Sequence, residues 1–293
     1  MKKLMSLLLI FILGLVVFLF LRPGFEKVTL KEEKEIEIAK IEQLQLLTAS
    51  ADIEIIANAA NIVKVELKGD IPKSMKDEYA LNLVEEGSRL KISYLSNDNR
   101  LKWKFGSEKD VMLQVTLPEK VLKNLIVQTT SGDIVSKDIS AQELDFRSTS
   151  GNQSIRGLKS NESLAIETVS GDITLKGSET NDFSIDSTSG NVAINSLVSQ
   201  NGRIDIESGN INMLIEEMIH TMNIETISGD IRSTFERPPE SLKIDFKGTS
   251  GQAVIKLKKF IYEDNAENKA VGETGDGANL LKVRTTSGDF IAN

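Results

Sequence analysis

Cysteine is absent from these 293 residues, and there are one histidine, one tryptophan and five prolines. Without cysteine there is no disulfide and no thiolate metal ligand, so burial and hydrogen bonds alone must hold the fold. Lipid attachment at a cysteine is excluded as well. The single histidine, His220, cannot build a zinc site, and it is the one candidate base for a Ser-His-Asp hydrolase. Aromatic residues make up 5% of the chain, so any core is mainly aliphatic. Positive charge is in the minority too. The net charge is −8, and with Lys2, Lys3 and Arg22 set aside the remainder carries about −11, which disfavours nucleic acid and bare anionic polymers as partners.

Lys2, Lys3 and Arg22 flank an uncharged apolar run from Leu4 to Leu21, just long enough to cross a bilayer. Its far end, Val16-Val17-Phe18-Leu19-Phe20-Leu21, lacks the small residues of a signal-peptidase site. The expectation is an uncleaved signal anchor over 4–21, with a cytoplasmic tip at 1–3, a juxtamembrane linker at 22–39 and an extracytoplasmic body at the cell membrane.

What is present is repetition. Ser-Gly-Asp/Asn occurs at Ser131-Gly132-Asp133, Ser150-Gly151-Asn152, Ser170-Gly171-Asp172, Ser189-Gly190-Asn191, Ser208-Gly209-Asn210, Ser228-Gly229-Asp230 and Ser287-Gly288-Asp289, with a variant at Ser250-Gly251-Gln252. In chain order the serines are 19, 20, 19, 19, 20, 22 and 37 residues apart. Six and four residues before the serine the chain is usually apolar, as in Leu125 and Val127, or Phe183 and Ile185. Two before it stands a small hydroxyl such as Thr129 or Ser187, and apolar alternation resumes after the turn. Period two means half-buried strands. Glycine allows positive φ and Asp or Asn can bond the local backbone, which makes the tripeptide a turn.

A repeat of about twenty residues favours a β-solenoid over a meander of hairpins. The predicted fold is therefore all-β: a solenoid of 19–20-residue coils over 125–293, a β cap or degenerate coils over 40–124, and one transmembrane helix before them. Roughly a dozen coils at about 4.8 Å each would reach about 60 Å. In chain order no two aspartates of the turn row are neighbours, as expected if stacked carboxylates repel by about 1–3 kcal/mol.

Thr48-Ala49-Ser50-Ala51-Asp52-Ile53 reads as a worn copy of Thr129-Thr130-Ser131-Gly132-Asp133-Ile134. Lys31 to Glu35 reads as a solvated stalk, and 261–279 as an acidic, glycine-rich loop. The segment Arg100 to Phe105 is basic and aromatic; it fits a cap strand, or a partner-binding hairpin through Arg100 and Trp103.

Three chemistries can be weighed on residues. The serines have only His220 as a base. Asp133, Asp172, Asp186, Asp205 and Glu207 offer carboxylates for polysaccharide cleavage, yet Asp and Asn exchange freely along the turn row, as turn residues do and catalytic ones do not. Calcium-loaded β-rolls use a nine-residue glycine-rich repeat that has no counterpart here. No cofactor, metal or catalytic residue is expected.

Val111 to Pro118, followed by Leu125 to Ile134 and the serial Ser-Gly-Asp/Asn coils, resembles the bacterial DUF4097 family of candidate adhesins and β-strand repeat proteins, over about residues 40–293. With a single amino-terminal apolar segment, the chain is similar to the LiaG-type members of Gram-positive bacteria, encoded beside a system that responds to envelope-disturbing antibiotics. That resemblance implies a non-enzymatic, membrane-anchored extracytoplasmic scaffold of the envelope stress response, whose partner is a membrane or envelope protein. The alternatives are an adhesin-like binder of cell-wall polymer or surface glycan and, less favoured, a polysaccharide-cleaving β-helix enzyme.

Overall fold

The computed structural model describes residues 26–38, 40–59, 62–96, 111–119, 121–216 and 220–293. The apolar run 4–21 and the basic-aromatic residues Arg100 and Trp103 lie outside the described residues. Among the described residues no helix is long and apolar enough to cross a membrane, and a short 3-10 turn at Lys73–Met75 is the single helical element.

Among the described residues strands build nine coils, each a first strand, a turn and a second strand, and Arg89–Ser96 and Val111–Pro118 add parallel strands beyond the first of them. Coil 1 comprises Gln43–Thr48 and Asp52–Asn58, coil 2 Leu122–Thr129 and Ile134–Lys137, coil 3 Ser140–Ser148 and Gln153–Arg156. Coil 4 runs from Lys159–Ser170 into the long strand Ile173–Ser189, whose later part opens coil 5. Coil 5 continues into Val192–Ser208, whose later part opens coil 6 and leads to Ile211–Ile215. Coil 7 is Thr221–Ser228 with Ile231–Phe235. Like positions pair in parallel from coil to coil: Leu144 with Leu164, Leu164 with Phe183, Ile185 with Ile204, Ile204 with Ile224. Parallel pairing at this interval makes a solenoid, because a hairpin meander pairs antiparallel.

Sequence order and spatial order part at the carboxyl end. Coil 8 is the end of the chain, Leu280–Ser287 with Phe290–Ala292, and coil 9 is the earlier segment Leu242–Ser250 with Ala253–Ile255. Coil 8 pairs with coil 7 on one side and with coil 9 on the other. The end of the chain is thus slotted between two coils made before it. The stacked rings of Phe246 and Phe290, 5.8 Å apart, join coils 8 and 9.

The return after each second strand is not simply a loop. In the long strands it pairs as a third face, Ser178 to Thr180 against Leu197 to Ser199. Its corner uses left-handed backbone at Asp138, Gly157, Gly177 and Ser196.

Both ends are closed by antiparallel strands. Lys27–Glu37 pairs with Ile62–Pro72, which pairs with Val111–Pro118 and so reaches coil 1. The charged segment expected as a stalk is therefore an edge strand, with Glu33 bonded to Lys64 across the pair at 3.0 Å. Its side chains are largely solvated, and the strand that receives it, already apparent in the sequence over Ile62 to Leu67, buries Val63, Val65 and Leu67. At the other end Ile261–Ala266 and Lys269–Thr274 form a hairpin on coil 9, where a loop was expected. Capping by charged or antiparallel edges keeps a stack of parallel strands from extending into another molecule.

Aligned aliphatic rows fill the interior. Leu125, Leu144, Leu164 and Phe183 occupy one row, and Val127, Phe146, Ile166, Ile185 and Ile204 the next, all buried. Each such side chain contributes about 1.5–3 kcal/mol relative to exposure. Gly202 interrupts the first row because the Phe183 ring and the Met222 sulfur fill the space where its Cβ would stand.

Candidate functional site: a charged trough beside the turn ladder

The turns themselves form a ladder. The backbone N–H of Asp133 donates to Asp52 Oδ1 at 2.8 Å, Asn152 to Asp133 at 2.8 Å, and Asp172 to Asn152 at 2.9 Å. The same bond runs from Asn191 to Asp172, Asn210 to Asn191, Asp230 to Asn210, Asp289 to Asp230, and Gln252 to Asp289, between 2.8 and 3.1 Å. Only an Oδ1 acceptor is needed, which is why Asp and Asn exchange. Gln252 ends the ladder and serves no further rung.

The spatial order corrects one expectation. Asp52 lies next to Asp133, and Asp230 next to Asp289, so aspartates do stack. Asp133, Asp230 and Asp289 are exposed, where water screens the repulsion to about 1 kcal/mol and each carboxylate oxygen holds an N–H.

Glycine is required by approach. A Cβ on Gly190 would lie 2.1 Å from the Gly171 carbonyl oxygen, and one on Gly229 2.0 Å from that of Gly209. The same clash recurs at Gly132, Gly151, Gly171, Gly209, Gly251 and Gly288. Alanine takes this place once, at Ala51 in coil 1.

The catalytic alternatives can now be placed. His220 precedes the strand that ends at Ser228, about 25 Å of extended chain from that turn. Asp133 and Asp172 are committed to the ladder. Among the described residues no group of three or more His, Asp or Glu side chains could hold a metal ion.

The varied chemistry lies just before the turns, on the outer face. There the first strands bend into an open trough of about 1050 Å³ that crosses coils 2 to 9. Its wall is the residue three before each serine: in spatial order Gln128, Arg147, Glu167, Asp186, Asp205, Glu225, Arg284 and Lys247. The other wall, one before the serine, includes Glu207 and the exposed apolar side chains Val169 and Ile227, 51% and 56% accessible. Charge therefore runs from basic to acidic to basic along the axis.

Some of these charges are tied. Arg147 bonds Asp145 at 2.8 Å and Glu167 at 3.3 Å, and the hydrogen bond to Asp145 raises its pKa further. Arg203 lies between Asp186 and Asp205, and Arg284 bonds Asp245 at 2.5 Å. Glu207, Glu225 and Lys247 have no ion-pair partner among the described residues. The sequence reading found Asp186, Asp205 and Glu207 as carboxylates and missed Glu225 and Lys247. Aligning the repeats on their serines and reading the third position back would have shown the row.

The trough follows from a solenoid with Ser-Gly turns, and such a solenoid has relatives. The Toastrack DUF4097 profile matches residues 41–291. The chain belongs to the Toastrack DUF4097 family. No curated protein matches it. Among solved structures, a candidate adhesin from Bacteroides fragilis aligns over 92% of this chain and 98% of its own, with 12% identity and a TM-score of 0.52. A candidate lipid-binding protein from Parabacteroides distasonis aligns over 90% and 96%, with 14% identity and a TM-score of 0.46. A candidate adhesin from the same species aligns over 90% and 97%, with 10% identity and a TM-score of 0.45. At these identities the likeness is one of fold, and the Toastrack trough of this chain must be read from its own residues.

Proposed function

We propose that this Toastrack chain is a non-enzymatic binding protein, anchored in the cell membrane by residues 4–21 with its body outside, which offers the trough to a membrane or envelope protein. A role in the envelope's response to antibiotics goes with that reading, on the resemblance to LiaG-type proteins. The observation that carries it is the uncommitted part of the trough: Glu207, Glu225 and Lys247, without an ion-pair partner among the described residues, beside exposed Val169 and Ile227. Exposed apolar residues ringed by charge mark interaction sites. Reach supports a nearby partner. Twelve strands in the ladder of second strands span about 53 Å, too little to pass a thick wall from a membrane anchor.

The test is photo-crosslinking in cells. A crosslinking residue replaces Ile227 or Val169 in the full chain, with Val198, exposed away from the trough, as the control position. One protein captured from both trough positions and not from Val198 is the expected result. Glycan adducts alone would transfer the role to wall binding; equal capture from all three positions would refute the trough as the docking face.

A further inference from the structure

The free charges of the trough are of both signs and sit at fixed rungs. Glu207 is on coil 6, Glu225 and Ile227 are on coil 7, and Lys247 is on coil 9, two rungs beyond Glu225. At about 4.8 Å per rung, Glu225 and Lys247 are about 10 Å apart along the axis. An extended peptide advances about 3.3 Å per residue, so three residues cover the same distance. Coil 8, between them, contributes Arg284, whose charge is already held by Asp245.

From this spacing we infer that the trough binds an extended peptide segment lying along the stack axis, with basic side chains over Glu207 and Glu225, an apolar side chain on Ile227, and an acidic residue three positions from the second basic one, over Lys247. The proposal rests on the trough being the docking face and adds the chemistry of what docks. A neutral glycan supplies no charge to any of the three groups. A uniformly anionic polymer would meet the two free carboxylates and the tied carboxylates of Glu167, Asp186 and Asp205 beside them. A uniformly cationic chain would meet Lys247. Only a partner with both signs, in this order, satisfies every free group.

The experiment measures binding to the purified full-length chain in detergent micelles at low salt. The probe is Lys-Ser-Lys-Leu-Ser-Asp, capped and flanked by glycine; the comparison peptide is Asp-Ser-Asp-Leu-Ser-Lys, with the charges exchanged. The first peptide is expected to bind at least about tenfold more tightly, and Glu207→Gln with Glu225→Gln is expected to lose about that factor. Lys247→Glu should weaken the probe and recover binding when its Asp is replaced by Lys. These side chains stand on the outer face, and unchanged melting of each variant confirms folding. No measurable binding of the probe, equal affinity for both peptides, or failure of the charge exchange to rescue Lys247→Glu overturns the inference. Crosslinking from Ile227 is independent of these results: a captured protein with no peptide preference leaves the docking face standing and removes only the peptide chemistry.

Discussion

Two rows of side chains run the length of this stack, five residues apart in each repeat, and they behave in opposite ways. The turn row is nearly uniform, and every Asp or Asn within it accepts the N–H of the next rung. The trough wall carries both signs of charge, and three of its groups are unpaired among the described residues. Repetition marks what the fold needs at each rung, and variation marks what it leaves open. In a stacked repeat this separates structure from recognition more sharply than burial does, because both rows are partly exposed.

The comparison can be broken most severely by removing a rung from both rows. Deleting residues 280–293 takes coil 8 from between coils 7 and 9 and exposes partners of Leu281, Val283 and Phe290. The loss is expected to be about 5 kcal/mol or more, read as a lowered urea midpoint. Next comes Gly190→Ala, whose Cβ would stand 2.1 Å from the Gly171 oxygen at a backbone φ of 141°. About 3 kcal/mol is expected, whereas Ala51→Gly in coil 1 should cost less than about 1 kcal/mol. The ladder bond is sharpened by a pair of changes: Asp172→Ala should lower stability by about 1–2 kcal/mol, and Asp172→Asn by less than about 0.5 kcal/mol, because the amide keeps the acceptor.

The trough wall should answer differently. Glu207→Gln with Glu225→Gln is expected to leave stability within about 0.5 kcal/mol. The smallest effect expected is that of pH. Burial raises the Glu66 pKa, but Lys68 and Lys64 more than offset it and leave it below 4.5. The Ser241 hydroxyl, with the Ala278 N–H, holds Asp276 below 3.8. Both folded-state values are depressed, so their contribution is complete above the unfolded values and is lost as pH falls through the folded ones. Melting temperature should be flat with respect to these groups down to about pH 5 and decline below about pH 4, and Asp276→Asn should flatten part of that decline.

Much of the scaffold was legible from spacing. The Ser-Gly-Asp/Asn interval fixes the coil length, and the worn copy at Ser50-Ala51-Asp52 does stack on Ser131-Gly132-Asp133. Chain order could not show that the last coil enters between two earlier ones, because nothing local to Leu280–Ser287 distinguishes a neighbour at Thr221–Ser228 from one at Leu242–Ser250. The edge strand Lys27–Glu37 was hidden for another reason: its charges resemble a solvated linker, and its strand character comes from pairing with Ile62–Pro72. The trough was half visible. Its carboxylates stood out as residue types, and aligning the serines shows the row they share with Arg147, Arg284 and Lys247, but the order of Glu225, Arg284 and Lys247 along the groove follows only from the stacking of coils 7, 8 and 9.

The most direct test measures two properties of the same variants side by side: thermal melting, and partner capture in cells per folded molecule through a crosslinker at Ile227. Asp172→Ala is predicted to lower melting and leave capture unchanged, whereas Glu207→Gln with Glu225→Gln is predicted to leave melting unchanged and reduce capture about tenfold. Capture that follows melting in both variants would contradict the division between a structural row and a binding row.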